Sequence, residues 1–203
     1  MNYFVTAIDT DSGKTLVSAI LCEALRADYW KPVQAGHPRD ADTVRSLISN
    51  DQITIYPEAY LLNTPASPHA SALRDGIKID INNFIVPKTS RDLIIEGAGG
   101  CLVPLNDTHF VVDLIKHFNA HTIVVADLYL GSINHTLLTL EALTTRNIPV
   151  KGIIFNGEPN SESERIILLH TKLPCLLRVT PEQEVDQHTV QKYAKQLQAN
   201  WYA

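Results

Sequence analysis

A surplus of positive charge, paired cysteines and long apolar runs are all missing from this chain of 203 residues. The formal charge is -5, which argues against general nucleic-acid binding, since that leans on clustered Lys and Arg to neutralise phosphates. No apolar stretch approaches the roughly 18 residues that a membrane-spanning helix needs. The N-terminus lacks a basic region followed by an apolar core and a cleavage site, so no membrane association and a cytoplasmic location are expected. The three cysteines, Cys22, Cys101 and Cys175, are far apart and form no C-x-x-C pair, which suggests neither a disulfide framework nor a zinc site. The eight histidines contain no H-E-x-x-H; His117 and His121 are spaced by four but straddle an expected helix end, so they read poorly as a zinc pair. Internal repeats, low-complexity tracts and Pro-, Gly- or Ser-rich linkers are also missing. A composition 45% hydrophobic and 19% charged then implies one well-buried α/β domain over residues 1–203.

What is present is an alternation of strand-length apolar runs with segments of helical period, the signature of a mostly parallel, doubly wound sheet with helices on both faces. Strands are expected at 2–7, 29–33, 93–96, 122–127, 150–156 and 175–179. Helices are expected at 14–26, 42–49, 80–84, 110–118, 134–146, 161–170 and 188–198, and Ser67-Pro68 looks like a further helix start. Residues 53–63 are the least readable. In such sheets ligands sit beyond the carboxyl ends of the strands, and polar or glycine-rich residues follow each apolar run.

The first of these is the loop Ala7-Ile8-Asp9-Thr10-Asp11-Ser12-Gly13-Lys14-Thr15, set between an apolar strand and a helix carrying Leu16, Val17, Ile20 and Leu21. Backbone N–H groups in such a loop cradle phosphates, the lysine reaches β/γ oxygens and the threonine hydroxyl ligates Mg²⁺. The fold expected is therefore of the P-loop NTPase type. Ala7 stands where the motif usually begins with glycine. Lys31, before Pro32 in an otherwise apolar strand, reads either as a snorkelling edge lysine or as a second phosphate-directed cation. Glu96 ends an apolar strand where a P-loop protein places a Mg²⁺-holding acid; Asp127 ends another strand and competes for that role. Gly-Ala-Gly-Gly after Glu96 lets a substrate approach the backbone. Asp40 and Asp42 suit a helix cap as well as metal coordination. Cys101 has no identified base and reads as a packing residue.

Taken in order, Thr6 to Thr15, Lys31-Pro32-Val33-Gln34-Ala35-Gly36, Ser67-Pro68-His69, Glu96 to Gly100, Pro104-Leu105 and Gly131-Ser132-Ile133-Asn134-His135 resemble the motifs of the dethiobiotin synthetase family. The resemblance implies an ATP-dependent ligase of biotin biosynthesis that joins 7,8-diaminononanoate and CO₂ (or bicarbonate) to give dethiobiotin, ADP and phosphate. It implies that Lys14 and Lys31 flank the transferred phosphoryl group and that Thr15, Asp42 and Glu96 hold Mg²⁺. Asp11, Ser12, Gly13, Lys14, Thr15 and Leu16 would line the nucleotide phosphates, with Gly97, Ala98 and Gly99 beside nucleotide and substrate. Asn156 with Gly157 would read adenine, and Pro181, Glu182 and Gln183 would cover the base. Lys31, Ala35 and Gly99 would meet the substrate. Its carboxylate would be caught by Gly131, Ser132, Ile133 and Asn134 of a second subunit, which implies a homodimer.

Ala35 replaces a family Ser or Thr, Gly157 a frequent aspartate, and Glu182 a bulkier residue. Two other readings share the architecture: a partitioning-type switch ATPase, disfavoured because Asp9 stands where that family carries an additional lysine, and a degenerate nucleotide-binding paralogue without turnover, motivated by Ala7 and Ala35. An amidating ligase of related fold would need a glutaminase domain for which 203 residues leave no room.

Overall fold

The apolar runs become a seven-stranded sheet in this computed structural model, which describes residues 1–201. Its strands are β1 (Asn2–Ala7), β2 (Asp28–Trp30), β4 (Ile55–Tyr56), β6 (Leu93–Gly100), β7 (His121–Asp127), β8 (Val150–Asn156) and β9 (Cys175–Val179). They lie in the order β4-β2-β6-β1-β7-β8-β9, and every pairing in it is parallel. The helices are α1 (Lys14–Leu25), α2 (Asp40–Leu47), α3 (Pro68–Arg74), α4 (Val111–His117), α5 (Ser132–Thr144), α6 (Ser161–Thr171) and α7 (Gln187–Trp201).

Central strands are buried on both faces, which is why they read as near-continuous apolar runs. Tyr3, Val5 and Ala7 of β1 join the cluster made with Ile20 and Leu21 of α1 and Tyr193 and Leu197 of α7. Phe4 joins the opposite cluster, with Leu114 of α4, Leu143 of α5 and Ile167 of α6. The alternation of side chains along a strand thus feeds two layers of helices from one sheet.

Several boundaries differ from the sequence expectation. The expected strand 29–33 breaks at Lys31-Pro32. Beyond it, β3 (Val33–Ala35) leaves the main sheet and pairs in parallel with β5 (Tyr60–Leu62). Proline lacks a donor for the ladder, while the Pro32 carbonyl accepts from the Ala59 and Tyr60 amides. The unreadable segment 53–63 therefore holds two strands, β4 and β5, each too short to show a period. The expected helix 80–84 is a single 3-10 turn, Ile81–Asn83, capped by Asp80. Helix α2 begins at Asp40 rather than Asp42, and α5 at Ser132 rather than Asn134. Strand β6 runs on through the glycines to Gly100.

Because β6 and β1 are neighbours with Glu96 opposite Val5, the carboxyl end of β6 lies beside the loop that leaves β1. That adjacency builds the site.

Candidate nucleotide and phosphoryl-transfer site

The loop between β1 and α1 turns on two left-handed residues, Asp11 (φ 57°) and Gly13 (φ 89°). Gly13 is favoured in two ways: a side chain is strained at that φ, and a Cβ there would displace the Asn156 amide. Ala7, by contrast, closes β1 with an ordinary strand backbone and no exposure. A methyl group therefore fits where the motif usually has glycine.

Lys14 Nζ donates to the Asp9 carbonyl at 3.0 Å, and Ser12 Oγ donates to the same oxygen at 3.1 Å. Thr15 Oγ1 donates to Glu96 Oε1 at 3.0 Å. Lys31 Nζ donates to that Oε1 at 2.9 Å and pairs with Asp40. Its third contact is the Gly97 carbonyl at 3.5 Å. Tyr29 Oη closes the set on Glu96 Oε2 at 2.8 Å. Lys31 is therefore the inward cation between two carboxylates; the competing reading as a snorkelling edge lysine is ruled out by its burial.

Burial sets the electrostatics of these groups and charge pairing corrects them. Burial lowers the pKa of Lys14, with Glu96 acting against it. Burial also opposes charge on Lys31, but Glu96 and Asp40 outweigh it and lift the lysine above its ordinary value. For Glu96 burial favours the neutral acid, and Lys31 with the Tyr29 hydrogen bond reverses that, holding it below the usual carboxylate range. Desolvation raises the Asp40 carboxyl despite Lys31. Burial, then the Glu96 charge, pushes the Tyr29 phenol well up, so it stays a donor.

Lys14, Thr15, Lys31, Asp40 and Glu96 open onto a cavity of about 720 Å³. Of the expected residues, Asp11, Gly13, Lys14, Thr15, Lys31, Ala35, Glu96, Ala98 and Gly99 line it. Gly97 does not. Its missing side chain serves packing instead, since a Cβ would lie 2.9 Å from the Phe4 ring. Ser12 is buried inside the loop, and Leu16 packs against the core. Asn156 Nδ2 donates to the Ser12 carbonyl at 3.0 Å, so it braces the loop from the end of β8, with Gly157 next to it at φ 111°.

Asp42 is not brought into the cluster. Its side chain is 70% exposed and lies 3.9 Å from Arg39, whereas Asp40, the first residue of α2, lines the cavity. Asp127, the rival acid, ends β7 outside the cavity with a buried Oδ1 that has no hydrogen-bond partner among the described residues. Pro181 to Gln183 follow β9 away from the cavity, where Glu182 accepts from Lys192 at 2.7 Å and Tyr193 at 2.5 Å. Gly131 to Asn134 lie at the start of α5, also outside it. Sequence reasoning missed Tyr29, which looks like any strand aromatic, and left Asp40 between a helix cap and a metal ligand without foreseeing its pairing with Lys31.

Cys101 and His117 have structural surroundings. Burial pushes the Cys101 thiol up, which suits packing rather than nucleophilic attack. His117 Nε2 meets the Phe84 carbonyl at 3.1 Å, and among the described residues no cluster of three His, Cys, Asp or Glu side chains is placed to hold a metal alone. Thr15 with Glu96 nonetheless offers hard oxygen donors of the kind Mg²⁺ takes, since that ion binds through one or two carboxylates plus substrate phosphates and keeps several waters. No described helix is long and apolar enough to cross a membrane.

Comparison with known proteins places this geometry. A family model described as an AAA domain matches residues 1–189. A protein of Cytophaga hutchinsonii named ATP-dependent dethiobiotin synthetase is 58% identical over 202 residues, covering 98% of each chain. Proteins of the same name from Christiangramia forsetii and Brucella ovis are 47% and 48% identical, covering 96% and 88% of this chain and 94% and 88% of their own. Among solved structures, a ParA family ATPase from Chlorobium tepidum superposes with TM-score 0.56 at 14% identity, over 98% of this chain and 95% of that one. The Pyrococcus horikoshii septum site-determining protein MinD, complexed with Mg-ADP, gives 0.54 at 14%, over 99% and 93%. Those two likenesses show the P-loop fold alone and lend the switch-ATPase reading nothing further. With the loop lysine and threonine, the second buried lysine and the strand-end glutamate assembled at one cavity, and with relatives alike along nearly the whole chain, the protein is an enzyme that belongs to the ATP-dependent dethiobiotin synthetase family.

Proposed function

We propose that residues 1–203 act as one domain that converts 7,8-diaminononanoate, CO₂ and ATP to dethiobiotin, ADP and phosphate. The observation that carries this reading is the convergence of Lys14 and Lys31, from a loop and a strand, on one cavity that also holds Glu96. Two cations facing one cavity match a reaction that brings two anions together, a carbamate and a triphosphate.

In this reading one amine of the substrate adds to CO₂ with loss of a proton, giving a carbamate. A carbamate oxygen then attacks the γ-phosphorus as its bond to the ADP oxygen breaks, which gives a carbamic–phosphoric anhydride. The second amine attacks the carbamate carbon, loses its proton and expels phosphate, closing the cyclic urea. Lys14 leaves the Asp9 carbonyl for the phosphates, and Lys31 holds the carbamate against the γ-phosphate. Alignment and charge cancellation are what phosphoryl transfer needs most from a protein.

Thr15 and Glu96 would hold Mg²⁺, joined by Asp42 on the resemblance alone. When bound, the ion supplies positive charge to the phosphate oxygens. Asp11 to Leu16 cradle the phosphates, and Ala98 and Gly99 border the substrate. Asn156 and Gly157 meet adenine, with Pro181 to Gln183 over the base. Gly131 to Asn134 serve the substrate carboxylate of a second subunit, which suits a homodimer, and a cytoplasmic location goes with this chemistry.

The test is to mix protein, Mg·ATP, bicarbonate and 7,8-diaminononanoate and follow ADP and dethiobiotin together. Stoichiometric formation of both is expected. Nucleotide binding without diamine-dependent turnover would overturn the proposal in favour of a degenerate paralogue.

A further inference from the structure

Glu96 is 1% exposed, and a buried carboxylate is costly unless both oxygens are satisfied. Its Oε1 accepts from Thr15 and Lys31, groups on the cavity side that meet ligands. Its Oε2 accepts from Tyr29 Oη, the one donor recorded there among the described residues. Tyr29 approaches from behind. It belongs to β2, the neighbour of β6, in register with Ile94, has no exposure and does not line the cavity. Its ring packs among core residues of the α1 side, so its hydroxyl keeps its position whatever the cavity holds.

A phenylalanine would fill the same volume in that core. The hydroxyl is thus a feature that packing does not require, aimed at one oxygen of the acid that faces the phosphate loop. We propose that Tyr29 is a positioning residue: its hydroxyl anchors Glu96 Oε2, turns Oε1 toward Thr15 and the cavity, and so sets the site's affinity for Mg²⁺. This rests on the reading of Glu96 as a Mg²⁺-holding acid. Without the hydroxyl, Oε2 is left buried and undonated, and the carboxylate is free to turn about its last bond to recover a partner. Outer partners that fix a ligating carboxylate commonly govern metal affinity in this way.

The test compares wild type and Y29F by calorimetric titration of ADP at a series of Mg²⁺ concentrations, with thermal unfolding of the free proteins alongside. The Mg²⁺ concentration for half-maximal ADP binding should rise by about tenfold in Y29F, while ADP affinity at saturating Mg²⁺ stays within about twofold. Trp30→Phe is the packing control. Trp30 is the next residue of β2, packs in the opposite cluster and bonds the Pro57 carbonyl, so W30F should leave the Mg²⁺ requirement unchanged. An unaltered Mg²⁺ requirement in Y29F overturns the proposal. So does an equal rise in W30F, or a Y29F that does not fold, because the hydroxyl would then serve the fold. Wild-type ADP binding that ignores Mg²⁺ overturns the reading of Glu96 instead.

Discussion

Lys31 Nζ lies 2.9 Å from Glu96 Oε1, with the two side chains only 6% and 0% exposed. A buried pair of this kind is weak evidence for stability in itself, because desolvation offsets much of the attraction. Breaking it is another matter, since one charge is then left behind. Here the charge left behind still faces Asp40, so the loss is partial.

Glu96→Gln should therefore destabilise the protein by about 3 kcal/mol at neutral pH, the low end for a broken buried pair, and lower turnover at least about a hundredfold. The pH dependence has a definite sign. The folded pKa of Glu96 is depressed, so its contribution is present above the ordinary glutamate value, about 4.3, and is lost as pH falls through the depressed folded value. The folded pKa of Lys31 is raised, so its contribution is present below the ordinary lysine value and fades only as pH rises through the raised one. Urea unfolding of both proteins should give a full gap at neutral pH and a narrowing one in solution more acid than the ordinary glutamate value. A gap independent of pH into the acid range would contradict the pairing.

Lys14 carries the opposite cost. Its folded pKa is lowered by burial, so keeping it charged destabilises the free protein. That cost is present in full below the lowered folded value and disappears as pH rises to the ordinary lysine range. Lys14→Met should raise the melting temperature of the nucleotide-free protein at pH 7 by roughly 2–4 °C, the shift of about 1 kcal/mol in a chain this size. It should also abolish the stabilisation that Mg·ATP gives wild type through linked binding. A thermal-shift series with and without nucleotide reads both effects, and a lowered melting temperature without ligand would refute the account.

Much of this centre was legible because P-loop chemistry is local. Gly13-Lys14-Thr15 sits between one strand and one helix, and the strand-end position of Glu96 follows from its apolar run. What the sequence could not convey depends on chain direction in space. Lys31 could be read as a phosphate-directed cation, but not how it turns inward between two strands belonging to different sheets, since the break at Pro32 shows only once β3 pairs with β5. Asp40 and Asp42 are equivalent in sequence, and a single helix start decides which of them faces Lys31. Tyr29 reads as core until its hydroxyl is seen against Glu96. Short strands such as β4, with two residues, carry no period at all.

Ala35 lines the cavity on β3, where the resembling family carries a hydroxyl that touches the substrate. A serine there would add one polar contact without filling the cavity. A net hydrogen bond contributes about 0.5–1.5 kcal/mol, so Ala35→Ser should lower the KM for 7,8-diaminononanoate by about twofold to tenfold, with kcat and the KM for ATP little changed. Steady-state kinetics with each substrate varied in turn separates these terms. A change in the ATP constant alone would mean that position 35 faces the nucleotide.

Asn156 ties the end of β8 to the phosphate loop by donating to the Ser12 carbonyl, and Gly13 packs directly against its amide. Substitutions here should rank by what they do to that carbonyl. Asn156→Ala removes the donor and leaves the Ser12 oxygen to water, loosening the loop at a cost of about 1 kcal/mol, or roughly fivefold in nucleotide affinity. Asn156→Asp keeps the shape but sets a carboxylate oxygen against a carbonyl oxygen and adds negative charge beside a phosphate site, so it should bind nucleotide more weakly than the alanine variant. Calorimetric ADP affinities should therefore fall in the order wild type, N156A, N156D. If Asn156 acted on the base alone, GDP and ADP would converge in affinity for N156A; if it braces the loop as well, both nucleotides should weaken together, and that joint loss is the expected result.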